Sequence, residues 1–391
     1  MRRELLIAAG PGEWRAALLE DGAVAELYVE RGDVRVAGSI HLGRVVRRAP
    51  GLDSAFIDIG EQRPGIVPAR EAAADGIRLD EGGRALVEVR REAQQDKGAR
   101  LSTRLRPSRD TDLKALRRRA MDLDPPVQLY PPLGFAPALA LRLPGAPDRI
   151  HTDDPAIVAE LRAAFPNAKV AVAGDWSIDL DAAIDAALTR SLALSGGGTV
   201  HIQATRGATI VDVDTGNPPE RDAEIAALTA NLAAAELIAR QIRLRNIGGG
   251  IIVDFVGLEG RTARDRVKAA LAAACQADPL EPRVLGWTRL GHLELVRPRR
   301  GRPLAEALLE PEDGTIRRRL SVALAYDALR AVQREARTRP GASWTIRVSP
   351  AIALALGGAA LAALRALEER LGRRIDILEA TGEQEFDIEP R

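Results

Sequence analysis

Residues 209–216 read TIVDVDTG and residues 249–255 read GGIIVDF. The first closes a longer stretch, SGGGTVHIQATRGATIVDVDTG (195–216), whose two alternating runs read as a hairpin. Between the two quoted segments Ile225, Leu228, Leu232, Ala235, Ala239 and Ile242 recur every three or four residues, the spacing of one helix face. Asn246 and Gly248 end that helix. GGGIIVDFVGL is then a continuous apolar run, the mark of a central strand. A strand, a crossover helix and a strand make the two strands parallel neighbours, roughly 4.8 Å apart. Side chains alternate along a strand, so Asp212 and Asp214 face one way, and Asp254 shares a face with Ile252. Asp212 and Asp254 each follow an apolar run, which puts both near the carboxyl ends of their strands, the edge that ligands favour in α/β sheets.

Two carboxylates that close together repel unless a cation joins them. Mg²⁺ takes carboxylate oxygens and keeps waters for a phosphate substrate. On spacing alone two readings stay open: a metal pair, or one aspartate shaping the D-T-G turn while the other caps a strand.

Outward from this unit, residues 4–36 hold ELLIAA, RAALLE and VAELYVE, a three-stranded meander with a hairpin turn at Glu20-Asp21-Gly22. Residues 38–105 hold five strand-length pieces separated by Gly and Pro, which fit a small barrel of the OB type. Residues 106–147 read as a basic segment and a Pro-rich connector. DDPAIVAELRAAF is a helix capped by Asp153 or Asp154, AKVAVAG a buried strand, and LDAAIDAALTRSLAL a helix. After residue 260 come a basic helix, a strand pair (RVLGWTR, LELVRPRR) and an Arg-rich turn. Residues 304–391 give helix, strand, helix and strand, an α+β module.

Composition bounds the partners. Of 391 residues 46% are hydrophobic but only 3% aromatic, so the cores are aliphatic. Net charge is +1, so any polyanion site must come from local clustering. Four lysines (Lys97, Lys114, Lys169, Lys268) leave 52 arginines, a bias that base composition also explains. Cys275 is the only cysteine, which excludes an internal disulfide and a Cys-based zinc knuckle; it reads as a small core residue. The four histidines, His41, His151, His201 and His292, show no metal-ligand spacing. The N-terminal apolar stretch is too short for a signal peptide and no long uncharged apolar run is evident, so the expectation is a cytoplasmic protein with no membrane partner.

VDVDTG followed by LTANLAAAELIARQIRLRNIGGGIIVDF closely resembles the catalytic core of the RNase E/G family, in order and spacing. GRVVRRAPGLDSAFIDIG and DKGARLSTRL resemble its RNA-binding OB-fold, TRLGHLELVRPR the strand pair after the catalytic strand, and RTRPGASWTIRVSPAIA with LEERLGRRIDI its small C-terminal domain. The resemblance implies an α/β and α+β multidomain chain. Its parts are an RNase H-like domain (1–36 and 148–176), an inserted OB-fold (37–106), a shortened sensor region (107–147), a DNase I-like catalytic domain (177–303) and a small α+β domain (304–391).

It further implies a Mg²⁺-dependent endoribonuclease, with Mn²⁺ an alternative metal, that cuts single-stranded, AU-rich RNA in rRNA and mRNA processing or decay. Asp212 and Asp254 are its metal aspartates. Asp214 stands where the family usually has Asn, and the added charge implies tighter or altered metal binding. Phe56 and Lys97 match the family's RNA-channel aromatic and lysine; a base stacked on Phe56 suits single-stranded RNA, whereas barrel core is the plain alternative for that ring. Arg100, Arg289, Arg297 and Arg299 are candidate phosphate contacts.

Three departures qualify this. Gly65-Ile66-Val67-Pro68 carries Ile66 where the family has a second aromatic. The segment before Asp153 is short and has no match to the family's pocket for a 5′-monophosphate. The family's Cys-Pro-x-Cys link is absent, so no zinc is expected and any homodimer must form without it. These departures motivate a second reading, an RNA-binding protein with weak or no cleavage. A third is an OB-fold protein acting in ribosome assembly.

Overall fold

The computed structural model describes residues 1–32, 37–93, 98–106, 112–176, 178–216, 222–310, 318–380 and 385–391. Two compact units result, Met1–Arg31 with Arg142–Arg391, and Gly32–Leu141.

In the first unit β1 (Arg3–Ala9), β2 (Glu13–Glu20) and β3 (Ala23–Arg31) form the expected meander. Asp21 and Gly22 both take positive φ, 49° and 85°, as a two-residue hairpin turn demands.

The second unit holds β4 (Ile40–Ala49), β5 (Ser54–Asp58), β6 (Gly65–Pro68), helix α1 (Ala69–Ala74), β7 (Arg84–Arg91) and β8 (Arg100–Ser102). The strands run β5-β6-β8-β7-β4, and β4 pairs again with β5, closing a five-stranded barrel. Alternation fills it: Ala55, Ile57, Val67, Val87, Val89 and Leu101 are buried together. The segment read as a connector is more ordered than expected. It forms α2 (Leu113–Met121), β9 (Val127–Tyr130) and α3 (Phe135–Arg142). β9 adds to the barrel sheet beside β4, and Leu116 and Leu129 bury against Ile40 and Leu42.

Back in the first unit, β10 (Arg149–Thr152) lies parallel to β1, and β11 (Lys169–Val172) parallel to β10, so the sheet order is β11-β10-β1-β2-β3. AKVAVAG was expected to be a buried strand; β11 is instead the sheet edge, with Lys169, Ala171 and Val172 exposed. Between these strands Asp154 caps the turn that leads into α4 (Val158–Ala164), as its Asp-Pro sequence indicates.

The next helix, α5 (Leu180–Leu188), is shorter than its sequence suggests. Thr189 leaves helical φ/ψ, and Ser191–Ala193 becomes β12, the edge of a second sheet. That sheet, β12-β13-β14-β15-β17-β16, adds β13 (Thr199–Ala204), β14 (Thr209–Asp214), β15 (Gly249–Asp254), β16 (Arg283–Trp287) and β17 (Leu293–Arg297). Helices α6 (Ala223–Leu244) and α7 (Arg261–Cys275) cover one face, where Val211, Val213, Ile251 and Val253 bury against Ala235, Ile238, Val267 and Leu271. Cys275 is in this core, and burial together with nearby Asp278 pushes its thiol up to about 11, as befits an inert packing residue.

α6 also meets the first sheet. Its Arg243 donates to Glu20 at 2.8 Å and Glu26 at 2.9 Å, so the helix lies between two sheets and is apolar almost all round. Ile225, placed on its apolar face by spacing, is exposed near the helix start. By length and composition alone α6 is apolar enough to cross a membrane; here it is a core helix, with more than half of it buried.

A short α8 (Leu304–Leu308) packs on the first sheet. Then α9 (Ser321–Thr338), β18 (Trp344–Val348), α10 (Pro350–Gly357), α11 (Leu361–Leu371), β19 (Ile375–Glu379) and β20 (Phe386–Pro390) complete the chain. Among the described residues the terminal module carries one strand and two helices more than the sequence suggested. β20 pairs antiparallel with β18 in a three-stranded sheet, β19-β18-β20.

Candidate active site

β14 and β15 pair in parallel with Ile210 opposite Ile252, Val211 opposite Val253 and Asp212 opposite Asp254. The identical Ile-Val-Asp triplets are thus in register. The valines point into the helix-covered core, and both aspartates point to the opposite, solvent-facing side, where both are exposed. The register continues across the sheet. Ser191 is opposite His201, and His201 is opposite Asp212. On the far side Leu293 pairs with Val253, so His292, one residue earlier, comes up beside Asp254. One cross-strand row therefore reads Ser191, His201, Asp212, Asp254, His292.

The row's geometry is specific. Ser191 Oγ lies 2.9 Å from His201 Nδ1. His292 Nδ1 lies 3.1 Å from Asp254 Oδ1. By distance the latter qualifies as an ion pair, yet the ring nitrogen is shielded from solvent and makes no hydrogen bond. The turn that carries the ring is closed by Thr288, whose N–H donates to His292 O at 2.8 Å and whose Oγ1 accepts from His292 N at 3.1 Å.

Asp214 is also exposed, two residues beyond Asp212, but its Oδ1 accepts from Gly216 N–H at 2.7 Å. It shapes the D-T-G turn. Gly198 packs on its backbone: φ is +88° there, and a Cβ would fall 2.2 Å from Asp214 O.

Behind the row, Asn231 is wholly buried on α6. It donates Nδ2 to Val256 O at 2.8 Å and accepts at Oδ1 from Val256 N at 3.0 Å. This clamp fixes the chain where it leaves β15, two residues past Asp254. Phe255 leans on Trp287 with ring centroids 6.0 Å apart. Among the described residues no three His, Cys, Asp or Glu side chains close on a single metal-sized point. The edge provides an aspartate pair in register with an imidazole at its end.

The Ribonuclease E/G family model matches residues 153–300, the stretch that contains this whole row. Ribonuclease G of Salmonella typhimurium is 26% identical over 487 aligned positions that cover 99% of each chain. Ribonuclease G of Haemophilus influenzae is 25% identical, covering 98% of this chain and 99% of its own. Over residues 153–300, and more weakly over nearly its whole length, the chain is similar to ribonucleases of the E/G type. The alignments are longer than its 391 residues, so stretches of those relatives have no counterpart here. Ribonuclease E of Escherichia coli is 25% identical over 86% of this chain, which spans 41% of that protein.

The arginines expected at the site separate into two groups. Arg289 is exposed in the turn that carries His292, and among the described residues it has no ion-pair or hydrogen-bond partner. Arg297 and Arg299 are at the other edge. β17 runs antiparallel to β15, so Gly249 is opposite Arg297. That is five residues from Asp254, about 16 Å along the strand.

Arg297 cannot serve a phosphate as expected. It is buried, and its guanidinium is committed to Asp278 at 2.6 Å, Asn246 Oδ1 at 3.0 Å and Ile247 O at 3.1 Å. Arg299 is exposed and lies over Gly249, donating to Gly248 O at 3.3 Å. A Cβ at Gly249, where φ is +99°, would come within 2.7 Å of that guanidinium.

The barrel has its own row. Phe56 is not core: Ala55 and Ile57 point inward, so its ring is on the outer face. Arg47, Phe56, Ile66 and Arg100 are successive register partners across four strands. The Arg47 guanidinium stacks over the Phe56 ring at 5.1 Å. Lys97 lies outside the described residues. Sequence reasoning missed Arg47, His201, His292 and Asn231. Each meets its partner across strands or from a helix, so no spacing along the chain signals it.

Proposed function

We propose that this chain is a Mg²⁺-dependent endoribonuclease that cuts single-stranded, AU-rich RNA in rRNA or mRNA processing or decay. One observation carries the reading: Asp212 and Asp254 are register partners on one exposed face at the carboxyl edge of a parallel strand pair. The donor set fits a divalent cation, because two like charges in adjacent register are relieved by one. Mn²⁺ suits the same oxygens; nothing in the row calls for zinc.

A cation held there supplies Lewis-acid stabilisation of the phosphodiester and acidifies the attacking water. The chain's own groups do the rest. Asp212 and Asp254 hold the cation. Asp214, with one oxygen given to its turn, adds negative charge next to them. Arg289 offers an unpaired guanidinium to a flanking phosphate. The products carry a 5′-phosphate and a 3′-hydroxyl.

RNA binding is assigned to the barrel, read as an OB-fold from its strand order. Phe56 is the stacking platform and Arg47, Arg100 and Lys97 the backbone contacts. Phe56→Ala is expected to weaken binding of a single-stranded oligonucleotide about tenfold, since a stacked base contributes about 1–3 kcal/mol. Unchanged affinity in a fluorescence-anisotropy titration would remove Phe56 from the RNA path. The β3-β2-β1-β10-β11 order supports an RNase H-like reading of the first sheet, and residues 177–303 are taken as the DNase I-like domain. The expected compartment is the cytoplasm.

The test is a labelled single-stranded A/U-rich RNA incubated with the protein, Mg²⁺ and then excess EDTA. Cleavage that EDTA abolishes is the expected result. Binding without metal-dependent cutting would favour the non-cleaving RNA binder.

A further inference from the structure

We propose that His201 binds the RNA phosphate next to the one that is cut, through its Nε2–H. The inference rests on the aspartate-pair reading above and adds a substrate contact to it. Three observations carry it.

First, the fold sets the ring on the same face as the aspartates. Val200 and Ile202 bury into the helix-covered core, so His201 between them points to the opposite side. Asp212 is its register partner there, on β14. Second, the ring is held but not used up. Ser191, its register partner on β12, lies with Oγ 2.9 Å from Nδ1. Among the described residues Nε2 has no hydrogen-bond partner. A serine hydroxyl that donates to Nδ1 leaves the proton of a neutral imidazole on Nε2, as a donor. Third, the position carries a donor without a fixed charge. A guanidinium there would fold onto Asp212 as an ion pair, as Arg297 does with Asp278 at 2.6 Å. Thr199 and Gln203, on the same face of β13, are uncharged as well. β13 thus offers phosphate oxygens a polar strip free of carboxylates, directly beside the acidic pair.

Distance selects which phosphate. β13, β14 and β15 are adjacent in the sheet. At a strand spacing of about 4.8 Å, His201 stands about 7 Å from the midpoint between Asp212 and Asp254. That is the length of one nucleotide unit of an extended strand. A scissile phosphate over the aspartate pair, in a chain that crosses the strands, puts its neighbour over β13. A hydrogen bond to a charged phosphate oxygen is among the strong ones.

The experiment uses the full-length protein, Mg²⁺ and a short single-stranded A/U-rich RNA, made as a set with each phosphate in turn replaced by neutral methylphosphonate. On the unmodified RNA, His201→Ala should raise KM about tenfold and leave kcat within about twofold, the pattern of a contact made alike in ground and transition states. Wild type should lose about tenfold at one phosphate adjoining the cut, and His201→Ala should lose nothing further there. His201→Gln, whose amide nitrogen takes the place of Nε2, should recover most of the KM effect. Additive losses in His201→Ala, or a loss that follows a 2′-deoxy sugar instead of the phosphate, would overturn the contact. An unchanged KM in His201→Ala, with Asp254→Asn still abolishing cleavage, would overturn it and leave the aspartate pair standing. If no RNA is cut, the aspartate reading fails by itself. Anisotropy on the same set without metal then decides His201: equal losses in wild type and His201→Ala at every phosphate would overturn it.

Discussion

Asp254→Asn is expected to reduce RNA cleavage by at least about a thousandfold, roughly 4 kcal/mol of transition-state stabilisation. The change is isosteric, and the side chain is half exposed at the end of β15, so the fold has no reason to change. What it removes is one charge of the pair that holds the cation. RNA affinity, assigned to the barrel, should remain within about twofold, because Asp254 makes no contact to a phosphate that a carboxamide would lose. Single-turnover cleavage alongside anisotropy separates the two effects. Cleavage near the wild-type rate would mean that the aspartate pair is a structural feature of the sheet edge.

The second large effect concerns stability. Glu13 is wholly buried and accepts from Arg15 at 3.0 Å, Arg31 at 2.6 Å and Arg330 at 2.7 Å. Arg15 and Arg330 also share Asp327, and Arg15 donates to Asp181 at 2.6 Å. This network joins β2 and β3 to α5 and α9. Burial alone would raise the Glu13 carboxyl; the surrounding guanidiniums of Arg330, Arg15 and Arg31 outweigh it and lower the pKa to about 2. Asp181 is likewise lowered to about 2, with burial opposed by Arg330 and Arg15.

Glu13→Gln leaves buried guanidiniums without their central counter-charge and should cost about 3–5 kcal/mol. Urea unfolding at pH 7 measures it, and a loss under about 1 kcal/mol would contradict the network's role. The pH dependence has a definite sign. A carboxyl with a lowered folded pKa stabilises above its unfolded value, near 4.5 for Glu13, and the contribution disappears as pH falls toward about 2. The gap between wild type and Glu13→Gln should therefore close over that window, monitored by circular dichroism.

How much of this was legible in the sequence depends on the direction in which a contact runs. The strand–helix–strand unit was legible because its periodicity changes twice within a short span. The pairing of Asp212 with Asp254 was legible because each ends the same Ile-Val-Asp triplet, which a parallel pair sets in register. The barrel was legible from five short alternating runs.

What joins residues across strands was not. His292 and His201 lack any ligand spacing along the chain, yet both are in the aspartate row. Arg297 looked like a phosphate contact because its sequence is basic; its partner, Asp278, is 19 residues away and brought in by the fold. Arg299 ends the strand pair that follows Asp254, but the antiparallel run of β17 carries it to the opposite edge. The outward face of Phe56 depended on which neighbours filled the barrel, a matter of register rather than composition.

The central claim is that one divalent cation binds between Asp212 and Asp254. Iron-directed self-cleavage tests it directly: Fe²⁺ replaces Mg²⁺, and ascorbate with peroxide releases hydroxyl radicals at the bound ion. The account predicts backbone cuts around residues 212–214 and 252–255 and within the 288–292 turn, suppressed by excess Mg²⁺ and absent from Asp212→Asn. Cuts confined to other parts of the chain, or a pattern unchanged in Asp212→Asn, would contradict it.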